Sequence, residues 1–303
     1  MSPRIDIQFP QYLHLRTSMY FDLSNFIGEF RNLLGLSEFK SDEDRYIELS
    51  RALASTIHNL FRTYSNRSLY GNIRLIPFRL HCYGSYTGSE HKSFDILEER
   101  LRELGDVELH FIERSKRERE KGIDIMLATD MLVHAIWNNY DVAILVSGDA
   151  DFEPAVRRVR DFGKKVYVAF YPYAISEKLE KVSDMIARFF PGTLVTEDLA
   201  TVILTEFKDN LVNGIKTLIK DLETKNYFKP LLESKDVREN IEHVKRCLQS
   251  LNLIDVAMSL EELQKHISRM YLQVRNAVPY KYYSQLTFKI GFYRELFHKK
   301  EKV

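Results

Sequence analysis

Short apolar runs alternate with amphipathic stretches along the first two-thirds of the chain. Runs rich in β-branched and aromatic residues occur at 18–21, 73–83, 108–112, 142–146 and 166–170, and each predicts a strand. Between them, residues 44–64 carry Ile47, Leu49, Leu53, Ile57, Leu60 and Phe61 at helical spacing. Residues 94–104, 124–138 and 152–162 predict three further helices, the last stopped by Gly163. This alternation predicts an α/β unit with a parallel sheet covered on both faces. In such sheets ligands sit beyond the carboxyl ends of the strands, so the residues just after each strand are the ones to inspect.

The last third has a different texture. Ser259 and Glu262 form a capping box ahead of an apolar-periodic run reaching Tyr271. Residues 199–224, 236–252 and 283–298 are further helical segments, and β-type alternation is absent. The Pro191-Gly192 pair is the best punctuation between the two textures. The expectation is therefore an α/β unit over 1–192 and an all-α unit over 193–303.

Charge supports the division. The chain of 303 residues has a formal charge of +1, which excludes a uniformly basic nucleic-acid coat. Residues 1–200 hold 26 basic and 30 acidic side chains, whereas 201–303 hold 18 and 13. Hydrophobic residues make up 45% and charged residues 29%, an ordinary globular mixture. Cys82 and Cys247 are too few and too far apart for a disulfide framework or a cysteine-rich zinc site. The start MSPRIDIQFP has no long apolar core, and the strongest apolar run, 142–146, is far short of a membrane span. A cytoplasmic protein is expected.

Acids fall where the predicted sheet would place a site. Asp22 follows Met19-Tyr20-Phe21, and Asp149 and Asp151 follow the 142–146 strand in Ser147-Gly148-Asp149-Ala150-Asp151-Phe152. Asp124 and Asp130 occupy the first turns of an otherwise apolar helix. Each has an ordinary alternative: Asp151 or Asp124 as a helix N-cap, Asp130 on a solvated turn. Gathered together, however, carboxylates repel one another and hold protons unless a cation intervenes. Oxygen ligands without His or Cys suit Mg²⁺ or Mn²⁺ better than zinc. Such an ion suits metal-assisted phosphodiester hydrolysis. No P-loop accompanies the acids. A dehalogenase-type phosphatase would want Asp-x-Asp at the first strand, where this chain has Asp22-Leu23-Ser24.

The segment Lys121-Gly122-Ile123-Asp124-Ile125-Met126-Leu127-Ala128-Thr129-Asp130, the segment Tyr140 to Phe152 containing Ser147-Gly148-Asp149-Ala150-Asp151, and Pro154, Val159, Gly163-Lys164 and Val166 closely resemble the NYN domain of the LabA-like kind, within the PIN-like nuclease superfamily. Asp22-Leu23-Ser24-Asn25 is similar to its first-strand motif and Tyr83-Gly84-Ser85-Tyr86 to the end of its second strand. The resemblance spans about residues 16–190. It implies a three-layer α/β/α fold and metal-dependent endoribonuclease chemistry on an RNA substrate with Mg²⁺ or Mn²⁺. By the same resemblance Asp22, Asp124, Asp149 and Asp151 hold the metal and Asp130 completes the catalytic acids. Asn25 supports Asp22 or touches phosphate, and Ser147 sets the strand-end geometry. Leu23 departs from the motif, which often has Gly there, and would narrow the approach to the metal. A non-catalytic RNA-binding or scaffold protein is the alternative.

Basic residues supply candidate substrate contacts. Arg114, Lys116 and Lys121 lie between the third strand and Asp124, with Glu113, Glu118 and Glu120 interleaved. Residues 265–303 hold 9 basic against 2 acidic side chains, mixed with Tyr280, Tyr282, Tyr283, Phe288, Phe292, Tyr293 and Phe297. That mixture suits either nucleic-acid contact or a homo-oligomer interface, although Phe288 and Phe292 at helical spacing are ordinary core positions. His58, His134 and His298 are expected to be incidental.

Overall fold

The computed structural model describes residues 12–36, 44–69, 72–113, 121–224, 257–277 and 285–300. Six strands form one sheet: β1 (Leu13–Asp22), β2 (Ile73–Tyr86), β3 (Val107–Glu113), β4 (Val142–Val146), β5 (Lys165–Phe170) and β6 (Met185–Arg188). Their order is β3-β2-β1-β4-β5-β6, and every pairing is parallel. All strands therefore end on the same edge, and the chain reverses direction across the sheet between β1 and β4, where α/β sheets open a crevice.

The helices are α1 (Leu23–Leu34), α2 (Asp44–Ser65), α3 (His91–Glu103), α4 (Lys121–Ile136), α5 (Glu153–Asp161), α6 (Glu177–Val182), α7 (Pro191–Leu194), α8 (Glu197–Glu206), α9 (Lys208–Thr224), α10 (Leu260–Ala277) and α11 (Gln285–Lys300). Strand alternation divides the core. Met19, Phe21, Ile144 and Val146 face α1, α2 and α3, whereas Tyr20, Tyr83, Ala143 and Leu145 face α4 and α5. The result is the expected three-layer α/β/α sandwich, followed by helices. Among the described residues no helix is long and apolar enough to cross a membrane.

The C-terminal helices share the core of the first layer. Leu199, Ile203, Leu211, Ile215, Phe288, Phe292 and Tyr293 are buried in one continuous cluster with Phe30, Leu33 and Leu53. The Phe292 and Phe30 rings stand edge to face at 6.2 Å. Phe288, Phe292, Tyr293 and Phe297 are thus core residues and unavailable as stacking platforms. Tyr280, Tyr282 and Tyr283, the 236–252 segment and Cys247 lie outside the described residues. Cys82 is a buried free thiol.

Several elements differ from the sequence expectation, the short helices α6 and α7 among them. Strand β1 begins at Leu13, five residues early, because 13–17 pairs with β2 at a partly exposed end. Helix α1 was not expected, yet Leu23, Phe26, Ile27, Phe30, Leu33 and Leu34 form its buried stripe. It follows β1 without a loop, and Gly35 ends it in the left-handed region at φ 63°. Strand β6 is four residues long and was not expected either.

A carboxylate cleft at the strand switch

Asp22 ends β1 and caps α1: its Oδ1 accepts from the Asn25 backbone N–H at 3.0 Å. Its Oδ2 accepts from the Ser147 hydroxyl, just past β4, at 2.8 Å. The same Ser147 oxygen accepts from the Asp149 N–H at 3.1 Å. Asn25 adds a second tie, its Oδ1 accepting from the Gly148 N–H at 3.0 Å. Ser147 is fully buried, so this lattice is fixed by the protein interior. Serine and asparagine at these positions bind the tail of β1 to the tail of β4.

Gly148 is required by its surroundings. A Cβ there would lie 1.9 Å from the Ala174 carbonyl oxygen, because the chain after β5 crosses over it. The Gly148 carbonyl in turn accepts from the Ser176 N–H at 3.0 Å. Asp149 then caps a one-turn 3-10 helix, Ala150–Phe152, by accepting from the Asp151 N–H at 2.9 Å. The capping expected of Asp151 thus falls to Asp149, and the Asp151 side chain is exposed. Asp124 sits in the first turn of α4 rather than at its cap.

Asp22, Asp124 and Asp149 line one cleft of about 570 Å³. Its remaining wall is the polar face of α1, Ser24, Asn25, Gly28, Glu29, Arg31 and Asn32, with Leu36 just beyond the helix. Burial pushes the Asp22 carboxyl up to about 7, with smaller contributions from the negative charges of Asp124 and Asp149. Those effects outweigh the hydrogen bonds from Asn25 and Ser147. Burial also raises Glu29, a fourth acid of this wall, against the opposing charge of Lys289. The Ser24 hydroxyl is buried without a hydrogen-bond partner. A protonatable buried carboxylate near two others is an arrangement that a hard cation relieves, and all three donors are oxygens, although their oxygens do not all gather within 4.8 Å of one another.

Asp22, Asn25, Asp124, Ser147 and Asp149 come together. Asp130 does not line the cleft. It lies about 9 Å farther along α4, where it accepts from the Tyr83 hydroxyl at 3.0 Å. Six residues of helix carry it out of reach and it finds a buried donor instead. Asp151 sits beside the cleft without lining it. Arg114 and Lys116 lie outside the described residues, as does the side chain of Lys121, the first residue of α4. Leu23 does not narrow the approach: it is fully buried and packs against Gly84, where a Cβ would lie 3.1 Å from it. Sequence reading missed Ser24, Glu29, Arg31 and Asn32, whose signal was the polar stripe of the unread α1.

A larger cleft of about 790 Å³ lies at α5, lined by Arg157, Arg158, Arg160, Lys164 and Lys165. Its arginines pair with Glu153, Asp161 and Asp184. Lys165 also pairs with Asp184, so the three acids that line this cleft are each matched by a basic side chain.

Comparison with known proteins yields one family. The model of the NYN domain matches residues 39–189. The matched span holds Asp124, Ser147, Asp149 and Asp151 and begins after Asp22, which joins them through the β1 pairing described above. No curated protein matches the chain. Among solved structures, a protein of unknown function from Vibrio parahaemolyticus RIMD 2210633 is 16% identical, covering 60% of this chain and 96% of its own, with a TM-score of 0.40.

Proposed function

We propose, from the premise that this chain carries an NYN domain and belongs to that family of PIN-like nuclease domains, that it is a metal-dependent endoribonuclease of the LabA-like kind acting in the cytoplasm. The observation that carries the reading is the convergence of Asp22, Asp124 and Asp149 on one cleft, with the buried Asp22 carboxyl pushed up to about 7. Asp22, Asp124 and Asp149 would hold Mg²⁺ or Mn²⁺. When bound, the ion supplies a polarised water and neutralises charge building on the scissile phosphate.

The chain's own residues do the rest. Ser147 and Asn25 hold Asp22 in one orientation, so its oxygens need no reorganisation. Asp151, exposed at the rim beside Asp149, adds charge without filling the cleft. Arg31 lies on the facing wall, where a phosphodiester oxygen would find a cation. The non-catalytic alternative loses one of its two motives, since Leu23 faces the core, and keeps the other, the helical unit of unassigned role.

The test is cleavage of single-stranded and structured RNA with Mn²⁺, Mg²⁺ or EDTA. Asp149→Asn and Asp124→Asn are each expected to lower the rate at least a hundredfold while the protein stays folded. EDTA is expected to abolish cleavage, and the metal to restore it. Cleavage that persists in EDTA or in Asp149→Asn ends this mechanism. RNA retention without cleavage under every metal tried supports the scaffold reading.

A further inference from the structure

A second group of candidate ligands lies on the α4 side of the sheet, away from the acidic cleft. The β2–β3 register sets His81 opposite Glu108 and Tyr83 opposite His110. Parallel pairing puts these four side chains on one face. One nitrogen from His81, one from His110 and one carboxylate oxygen of Glu108 lie within 4.8 Å of one another. We propose that His81, Glu108 and His110 form a binding site for a zinc-type divalent cation, separate from the carboxylate cleft and independent of its chemistry.

Unsatisfied polar atoms argue for it. His81 Nδ1 is buried, stands 3.0 Å from Glu108 Oε2, and makes no hydrogen bond. His110 Nε2 is buried and has no hydrogen-bond partner either. Orphaned buried nitrogens are costly, and two around one carboxylate need an explanation. Donors around tetrahedral zinc stand about 3.3 Å apart, given bonds of about 2.0–2.2 Å. The His81–Glu108 separation already matches, and His110 offers a nitrogen within 4.8 Å of both. Two imidazoles and a carboxylate suit a borderline-soft ion, unlike the all-oxygen cleft.

The surroundings are built to hold these ligands. Tyr20 stacks on His81 with centroids 4.9 Å apart, and Tyr83 stacks on His110 at 4.5 Å. Arg79 bonds the other oxygen of Glu108 and orients it, as partners of metal-binding carboxylates commonly do. His134 stands beside the group with its Nδ1 engaged by the Tyr20 hydroxyl at 2.8 Å. Glu108 and His110 are only half-buried, which leaves a route for the ion. The bound ion would clamp the edge strand β3 to β2.

The experiment is zinc retention by the full chain. The purified protein is loaded with Zn²⁺, dialysed against excess Mg²⁺ and analysed for metal, with Co²⁺ loaded in parallel as a visible-absorption reporter. One equivalent of zinc is expected in the wild type and equally in Asp149→Asn. Glu108→Gln and His110→Ala are each expected to lower the zinc affinity at least tenfold and to remove the tetrahedral Co²⁺ absorption. Circular dichroism checks that each variant is folded, and two separate variants guard against one misfolding. Failure of the wild type to retain zinc, or retention unchanged in a folded Glu108→Gln or His110→Ala, overturns the site. Loss of zinc in Asp149→Asn alone overturns it too, by assigning the metal to the cleft. None of these outcomes bears on RNA cleavage.

Discussion

Asp22 carries a conflict that the rest of the cleft is built around. Its carboxyl is buried, faces Asp124 and Asp149, and is pushed up to about 7. In metal-free protein, the native state therefore keeps a proton on Asp22 between about pH 4 and pH 7 that the unfolded chain has released. Stability falls as pH rises through that window, and above it the penalty is constant. Asp22→Asn removes the titrating group. In EDTA at pH 8 it is expected to be more stable than the wild type by about 1–2 kcal/mol, discounted for an imperfect bond to Ser147. The gain should shrink toward zero near pH 5. Denaturant melts at the two pH values measure it, and a variant less stable than wild type at pH 8 would refute the account. The cleft acids were legible because strand-end chemistry depends only on local order. His81 and His110 were not: they lie on different strands, and only the pairing register sets them side by side.

At the scale of elements, the turn after β4 is the most constrained piece. It must present Asp149 to the cleft, close the 3-10 turn through Asp151, and pass beneath the chain at Ala174. Gly148→Ala forces a Cβ against that backbone carbonyl, which cannot rotate away as a side chain would. Overpacking of this kind costs about 1–3 kcal/mol, and relief requires moving Asp149. The variant is expected to melt several degrees lower and, on the nuclease reading, to lose most of its RNA cleavage. A Gly148→Ala protein with unchanged melting and cleavage would show that the turn is not rigid. The strands around it were legible from apolar runs, and the layer order from their alternation with helices. Helix α1 escaped notice because no loop separates it from β1, and the Asp22-Leu23-Ser24-Asn25 motif reads as a strand end. The short β6 carries too few residues for a periodic signal, and it is completed by pairing with β5.

For the whole molecule, the question is whether residues 193–303 are a separate module, as the change of texture at Pro191-Gly192 suggests. Packing argues for dependence. Helix α11 bonds directly to the end of α1: the Tyr293 hydroxyl donates to the Leu33 carbonyl at 2.7 Å, and Lys289 Nζ donates to the Asn32 carbonyl at 3.2 Å. These are carbonyls of the last helical turn, which α1 cannot satisfy itself. Asn32 and Leu36 also line the acidic cleft, so α11 supports one wall of the candidate site. Phe30, Leu33, Leu34 and Tyr171 are fully buried, and removal of the later helices would uncover part of that surface. Each large apolar side chain left bare forfeits about 1.5–3 kcal/mol, against a total stability of about 5–15 kcal/mol for an ordinary domain. A chain ending at residue 192 is therefore expected to aggregate or to bind hydrophobic dye without a cooperative melt, while the full chain melts as one unit. Co-expression with 193–303 is expected to restore solubility. A monomeric 1–192 fragment that unfolds cooperatively and keeps full metal-dependent cleavage would instead make the helical segment the separable unit its composition suggests.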